Sequence, residues 1–308
     1  MTGARQSTAS DVGTGTAFTL LAALGFGAVS TLTILARRDG LSLSAALMWR
    51  FVLASVVLVT FVGARNYPRI PWREALRIIV IGGGGQALFV GMALSSLRFV
   101  SVAMLAFMFY TYPAWVTLVQ AIRGAERLTS RRLFALALSF AGVVVVYLGP
   151  GASSSAGIAL NSIPPLRGIA LALGAAVVYG FYIPTMQWLQ KSHPVPVTSA
   201  YAKLGSAICF LFIAMADGSL SYNMSAHTWL AISALAVFAT VLPSVFFLTG
   251  LMKLGPVRTA IVSTVEPFFT TVLGAVVLRQ AVAASTMLGG VMIVTAVVVL
   301  QYRSERVA

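Results

Sequence analysis

Glu266 is the one acidic residue well inside any of the chain's long apolar runs, and it stands in a polar stripe. Thr259, Ser263, Glu266 and Thr270 recur at spacings of four, three and four, which puts them on one face of a helix. Such a stripe on an otherwise apolar helix cannot face lipid; it faces neighbouring helices or a water-filled cavity. Pro267 follows Glu266 directly. A proline there leaves the Ser263 carbonyl without its helical donor, which bends the helix and adds an exposed acceptor. A lone carboxylate beside a bend has three open roles: to bind a cationic group of a solute, to carry a proton, or to serve a structural hydrogen bond or an ion pair with Arg50 or Lys203.

Aromatic side chains surround this signal. Met108, Tyr112 and Trp115 share a helix face by i, i+4, i+3 spacing, and Tyr179, Tyr182 and Met186 share another. Helix packing explains either set, and so does a pocket wall. Tyr112 and Trp115 lie well inside their apolar run and not at its ends, where headgroup-level aromatics gather. As a wall, the two sets make an amphipathic pocket suited to a zwitterion with an apolar side chain, with Phe26, Ser30 and Thr33 completing it from the first run. Four consecutive glycines, 82–85, either let another backbone approach closely or form a hinge beside the cavity. Gln86 follows them, and its amide needs a partner in protein, water or solute. Arg50 and Lys203 are the two cations inside apolar runs. Each must find acceptors or water, either at backbone carbonyls and helix ends or as a gating or carboxylate-binding charge.

Other chemistry lacks its parts. The sequence has no phosphate-binding GxxxxGK[ST] loop, no HExxH, and only two histidines, His193 and His227. Paired-acid hydrolysis within the apolar runs lacks a second carboxylate. We therefore expect no enzyme activity, no bound metal and no cofactor.

These residues must be positioned by elements that live in lipid. Of 308 residues, 59% are hydrophobic and 9% charged, against the roughly 25% charged that a soluble surface uses. The net charge of +14 sits at the ends of apolar runs, so it reads as loop charge that sets topology and not as a nucleic-acid-binding face. Cys209, the only cysteine, rules out an internal disulfide. Ten runs can cross a ~30 Å hydrocarbon core: residues 15–37, 42–64, 73–97, 99–122, 133–148, 168–189, 197–216, 228–249, 257–278 and 284–301. The first is long enough to be a retained span and not a cleaved signal. With the N-terminus inside, 14 Lys and Arg fall in inside segments and 5 in outside ones, which makes both termini cytoplasmic.

A linker rich in Gly, Ser and Pro at 150–166 divides the chain into 1–149 and 167–308, with five runs each. Displacing the second half by 153–154 positions pairs Gly27 with Gly180, Arg50 with Lys203, Tyr112 with Glu266, Pro113 with Pro267 and Glu126 with Gln280. Five is odd, so two such copies lie in opposite orientations. The expected fold is thus an all-α integral membrane protein of ten transmembrane helices in two inverted five-helix repeats, the architecture of alternating-access carriers.

The in-span basic residues (Trp49-Arg50-Phe51 and Ala202-Lys203-Leu204), the prolines in Tyr112-Pro113-Ala114-Trp115 and Glu266-Pro267-Phe268-Phe269, and the Gly124-Ala125-Glu126 stretch resemble the drug/metabolite transporter superfamily, in its ten-helix branch of bacterial metabolite and amino-acid exporters. Arg279-Gln280 departs from the acid that the family often has there. The resemblance covers nearly the whole chain. It implies a secondary transporter in the bacterial inner membrane, and the aromatic fourth run is most similar to the amino-acid exporters. The expected cargo is a small amphipathic metabolite, neutral or aromatic amino acids first. Alternatives are a carrier of nucleobases or sugar derivatives, a channel, and a lipid-modifying enzyme. Candidate binding residues are Glu266, Ser263, Tyr112, Trp115, Met108, Tyr179, Tyr182, Gln86 and Ser30, with Arg50 and Lys203 as structural or gating charges.

Overall fold

A chain of apolar runs satisfies its backbone in hydrocarbon by bonding N–H groups within its own helices. The computed structural model describes residues 9–100, 102–125, 129–148, 166–279 and 284–301, all helix or short connection, with no strand among them. The helices are α1 (Ala9–Ala36), α2 (Leu43–Ala64), α3 (Trp72–Ser96), α4 (Val102–Phe109), α5 (Tyr112–Ile122), α6 (Ser130–Leu148), α7 (Leu166–Leu189), α8 (Val195–Ala216), α9 (Ala226–Leu254), α10 (Pro256–Ser263), α11 (Glu266–Leu278) and α12 (Ala284–Gln301). Among the described residues seven stretches, counting α10 and α11 as one, are long and apolar enough to cross a membrane. Outward-facing Val80, Leu230, Phe238 and Phe212 are more than half exposed, as a lipid-facing surface requires. Glu126, Gln280 and all of the expected linker except Leu166 lie outside the described residues.

Two expected runs are broken. Residues 99–122 divide at Tyr110–Thr111, and residues 257–278 divide at Thr264–Val265, where the sequence implied only a bend at Pro267. Pro113 and Pro267 each take the second position of the helix that restarts, where a missing N–H costs nothing. A threonine precedes each restart and seals the end of the helix before it. The Thr111 hydroxyl donates to Met108 O and the Thr264 hydroxyl to Ile261 O, both at 2.7 Å.

Two further irregularities interrupt long helices: a π-helical turn at Ile78–Gly83 in α3 and another at Val237–Val241 in α9. At the first, α8 comes close. A Cβ on Gly83 would lie 2.4 Å from Gly205 Cα, and one on Gly205 would lie 2.1 Å from Ile79 O. The glycine run is thus a packing seam at Gly83, while Gly84 faces open space.

Helix contacts come in reciprocal pairs. α1 packs on α9 and α11, while α7 packs on α3 and α5; α2 meets the π turn of α9, while α8 meets that of α3. α2 with α8, α5 with α10, and α6 with α12 pack across the two halves. The Gly27 and Gly180 match has a physical basis. Gly27 admits Phe269 and Gly180 admits Trp115, and a Cβ at either glycine would come within 2.9 Å or 2.5 Å of the aromatic residue's Cβ.

Loops expected on one side of the membrane do meet at one end of the bundle. Asp39, in the α1–α2 loop, accepts from the hydroxyls of Ser225 and Thr228 at the start of α9. At the other end His193 Nε2 lies 2.7 Å from Glu74 Oε2, and Lys253 Nζ donates to Asp11 Oδ1 at 2.7 Å. The Ser225 and Thr228 hydroxyls hold the Asp39 carboxyl below its ordinary value of 3.8. A depressed carboxylate contributes above its unfolded value and is lost only as pH falls through the lowered one, so this contact is constant across neutral pH.

The seam yields a paired expectation. Gly83→Ala overpacks the α3–α8 contact and destabilises by about 1–3 kcal/mol. Gly84→Ala meets nothing and gains helix propensity, so it is neutral or stabilising by up to about 1 kcal/mol. Thermal unfolding of the purified variants in detergent checks the order; equal melting temperatures would refute the seam.

Candidate functional site

Between the halves, midway along the helices, lies a cavity of about 220 Å³. Glu266 reaches it from the first turn of α11, because the break puts that residue at a helix start. A helix N-terminus carries partial positive charge and favours a carboxylate there. The hydroxyl of Tyr110, in the matching break between α4 and α5, also bonds Glu266. Tyr179 and Tyr182 form part of the wall, with rings 5.9 Å apart, and Phe89 packs against both at 4.6 and 5.4 Å. Phe109 completes this aromatic side, stacked on Tyr179 at 5.4 Å.

Both in-span cations also line the cavity, and each is tied at a π turn of the opposite half. Arg50 of α2 donates from Nε to Thr240 Oγ1 at 2.7 Å and from Nη2 to Ala239 O at 3.3 Å. Lys203 of α8 donates to Gln86 Oε1 at 2.7 Å, and Ser206 bonds both Gln86 Oε1 and Gly83 O at 3.1 Å. Phe51 lies between them, with its centroid 5.2 Å from the Arg50 guanidinium and 5.7 Å from the Lys203 ammonium. Among the described residues neither cation reaches Glu266 at ion-pair distance, so the acid and the two cations stand apart around one space.

The lining is graded. Ser30 is exposed and Gln86 and Val90 are half-buried, whereas Ser199, Ser244, Phe247 and Leu248 are buried. The cavity therefore opens toward the end that carries Asp39 and is closed at the end that carries Lys253 and His193. Gln190 strengthens the closed end by donating to Leu248 O at 2.8 Å.

Of the residues singled out in the sequence, Glu266, Tyr179, Tyr182, Met186, Gln86, Phe26, Ser30, Arg50 and Lys203 come together here. Five are placed elsewhere, which corrects the expected pocket. Tyr112 lies buried behind Tyr179, at 4.8 Å between rings, and donates to Ala260 O. Ser263 is buried and bonds Tyr112. Met108 is buried outside the lining, and Trp115 is the residue seated at Gly180. Thr33 is also absent from the lining. Sequence reasoning missed Tyr110, Phe89, Phe109, Ser199 and Ser244. The Tyr-x-Tyr-Pro spacing before Pro113 was the available signal for Tyr110, since a residue just ahead of a helix restart turns toward the gap.

Fold and site together define a helical membrane protein built around a solute-sized cavity. The chain belongs to the EamA-like transporter family, whose model matches it twice, over residues 13–148 and 166–302. That family lies within the drug/metabolite transporter superfamily, and its members are membrane transporters of small molecules and not enzymes. No curated protein matches the chain. A solved crystal structure superposes with a TM-score of 0.80 at 20% identity, covering 96% of this chain and 98% of that one, which is a likeness of fold.

The buried Arg50 contact predicts a measurable cost. Thr240→Val keeps the side-chain shape but removes the acceptor of a buried guanidinium, so it destabilises by about 1–3 kcal/mol. Thr249→Val removes only a bond to its own helix, at Val245 O, and stays within about 0.5 kcal/mol. Melting curves of both variants in detergent test this; an unshifted Thr240→Val would mean that Arg50 is held by other means.

Proposed function

We propose that the chain is a secondary carrier that exports small amphipathic metabolites, neutral and aromatic amino acids first, across the bacterial inner membrane by alternating access. The observation that carries this reading is one cavity in which a carboxylate, two cations and an aromatic wall surround a space of about 220 Å³. Drug-sized pockets span roughly 300–1,000 Å³, so the space fits a small solute. The separated charges suit the two ends of a zwitterion, and the Phe89, Phe109, Tyr179 and Tyr182 wall suits its side chain.

The fold proposed with it is ten spans in two inverted five-helix repeats, 1–149 and 167–308, joined by a linker at 150–166. The reciprocal helix contacts, the paired breaks and π turns, and the two family matches support the duplication. The break before α11 brings its restart, with Glu266, to the cavity, as broken helices do in carriers with midplane sites. Both termini are proposed to be cytoplasmic. Cysteines placed at residues 192 and 223 should then label from the cytoplasmic and outer faces respectively; labelling of both from one face would overturn the topology.

Glu266 is assigned to the ammonium group of the cargo. Glu266→Gln keeps shape and loses charge, and a hydrogen bond to a charged group is worth about 1.5–3 kcal/mol. Amino-acid counterflow in proteoliposomes should weaken about tenfold or more, while uncharged analogues change little. If Gln spares counterflow yet abolishes uptake driven by a pH gradient, the residue couples protons instead. Wild-type behaviour in both assays would remove Glu266 from the mechanism. Saturable counterflow by the parent protein also separates a carrier from a channel, which would show conductance.

A further inference from the structure

The closed end of the cavity holds two hydroxyls that bond nothing described. Ser199 on α8 is 1% exposed and Ser244 on α9 is 5% exposed; both line the cavity, and neither Oγ has a hydrogen-bond partner among the described residues. Hydroxyls inside helices ordinarily return to a carbonyl of their own helix. In this bundle Thr16 bonds Val12 O, Thr117 bonds Pro113 O and Thr249 bonds Val245 O. Ser199 and Ser244 decline the equivalent carbonyls of Val195 and Thr240. A buried polar atom left without a partner in a native structure calls for an explanation, and a cavity on its doorstep supplies one.

We propose that Ser199 and Ser244 form a hydroxyl pair that binds the carboxylate of the transported solute. A serine hydroxyl both donates and accepts, so the neighbouring fixed charge decides which group it meets. Ser199 lies one helical turn before Lys203 on the same face of α8. Ser244 lies one turn after Thr240, the residue that holds Arg50. One hydroxyl thus lies a turn from a cation and the other a turn from the residue that holds the second cation, while the acid Glu266 enters from another helix. Donors beside positive charge fit an anionic oxygen.

The positions that correspond in the first half, 153–154 residues earlier, are Ala45 or Ala46 for Ser199 and Val90 or Gly91 for Ser244, none of them polar. Val90 itself lines the cavity. The hydroxyl pair therefore does not belong to the repeated frame. It makes one wall polar where the matching wall is apolar, and so gives an amphipathic solute a fixed orientation.

This assignment rests on the carrier reading above and is tested separately from it. Equilibrium binding of three probes to the purified full-length protein decides: phenylalanine, phenylalanine amide, and 3-phenylpropionate, which has the carboxylate without the ammonium. Ser199→Ala and Ser244→Ala should each weaken phenylalanine and 3-phenylpropionate roughly tenfold and leave the amide within about twofold. Melting temperature should stay level or rise, because each change removes an unsatisfied buried hydroxyl. A purely structural serine would lower it and leave affinity alone, which overturns the proposal. Equal weakening of acid and amide overturns it as well. If the parent protein binds neither phenylalanine nor its amide, the amino-acid reading fails. The hydroxyl pair then stands or falls on 3-phenylpropionate: binding that is lost in the alanine variants upholds it, and no binding at all overturns it.

Discussion

Hydrocarbon offers a polar group no partner of its own, and Arg50 and Lys203 carry that constraint into every layer of the bundle. Each charge costs about 2.5–3.5 kcal/mol at the centre of a membrane on insertion scales unless it is answered. Each is answered across the divide between the halves. Arg50 of α2 bonds the π turn of α9, and Lys203 of α8 bonds Gln86, just past the π turn of α3. A π turn widens the helix by one residue and offers carbonyls that a regular helix would keep. The Gly83–Gly205 seam then lets α8 come close enough for Ser206 to take one of them. The cations therefore hold α2 to α9 and α8 to α3, and Phe51, stacked on Phe210 at 5.1 Å, keeps them apart.

Proline shapes the other half of the site. Had Pro113 and Pro267 only bent their helices, Glu266 would sit in mid-helix with its neighbours' backbone already paired. Because each helix stops and restarts, Glu266 occupies a first turn, where the positive end of the helix dipole favours negative charge. The matching break between α4 and α5 brings Tyr110 to the carboxylate from the other half. Lone polar residues in these two runs thus gain partners only through irregular backbone, which membrane proteins tolerate where it lines a cavity or is buried in protein.

How far the sequence could be read follows from these same features. The all-helical membrane class, the in-span charges and both prolines were legible, because hydropathy and residue chemistry are local. The pairing of Gly27 with Gly180 was visible too, but its meaning was not. A glycine's purpose depends on what approaches it, and Phe269 and Trp115 are remote in the chain. Trp115 was misplaced for the converse reason: periodicity tells which residues share a face, not which neighbour that face meets. Ser244 and Phe89 were lost to the π turns. Each inserts a residue into the helical count, so a face drawn through α9 from Thr228, or through α3 from Glu74, points elsewhere after the turn. Phe89 and Phe109 are also two phenylalanines among 18 in a chain that is 59% hydrophobic, with nothing local to distinguish them.

The strengths of these contacts differ along the bundle axis, and that gradient bears on how a carrier would move. At the ends the halves are joined by partly exposed pairs: Asp11 with Lys253, Glu74 with His193, and Asp39 with two hydroxyls. A partly exposed ion pair such as Asp11 with Lys253 contributes about 0–1 kcal/mol. At mid-height the contacts are buried and cation-bearing, and losing one partner there leaves a charge in hydrocarbon. Closing contacts so weak keep the gap between alternative end arrangements to a few kcal/mol, within the range where a minor state is about 0.1–10% populated. On the carrier reading the ends are then the parts that exchange partners. The Arg50 and Lys203 layer, too costly to open, is the pivot about which they turn, and it lies at the level where the cargo is held.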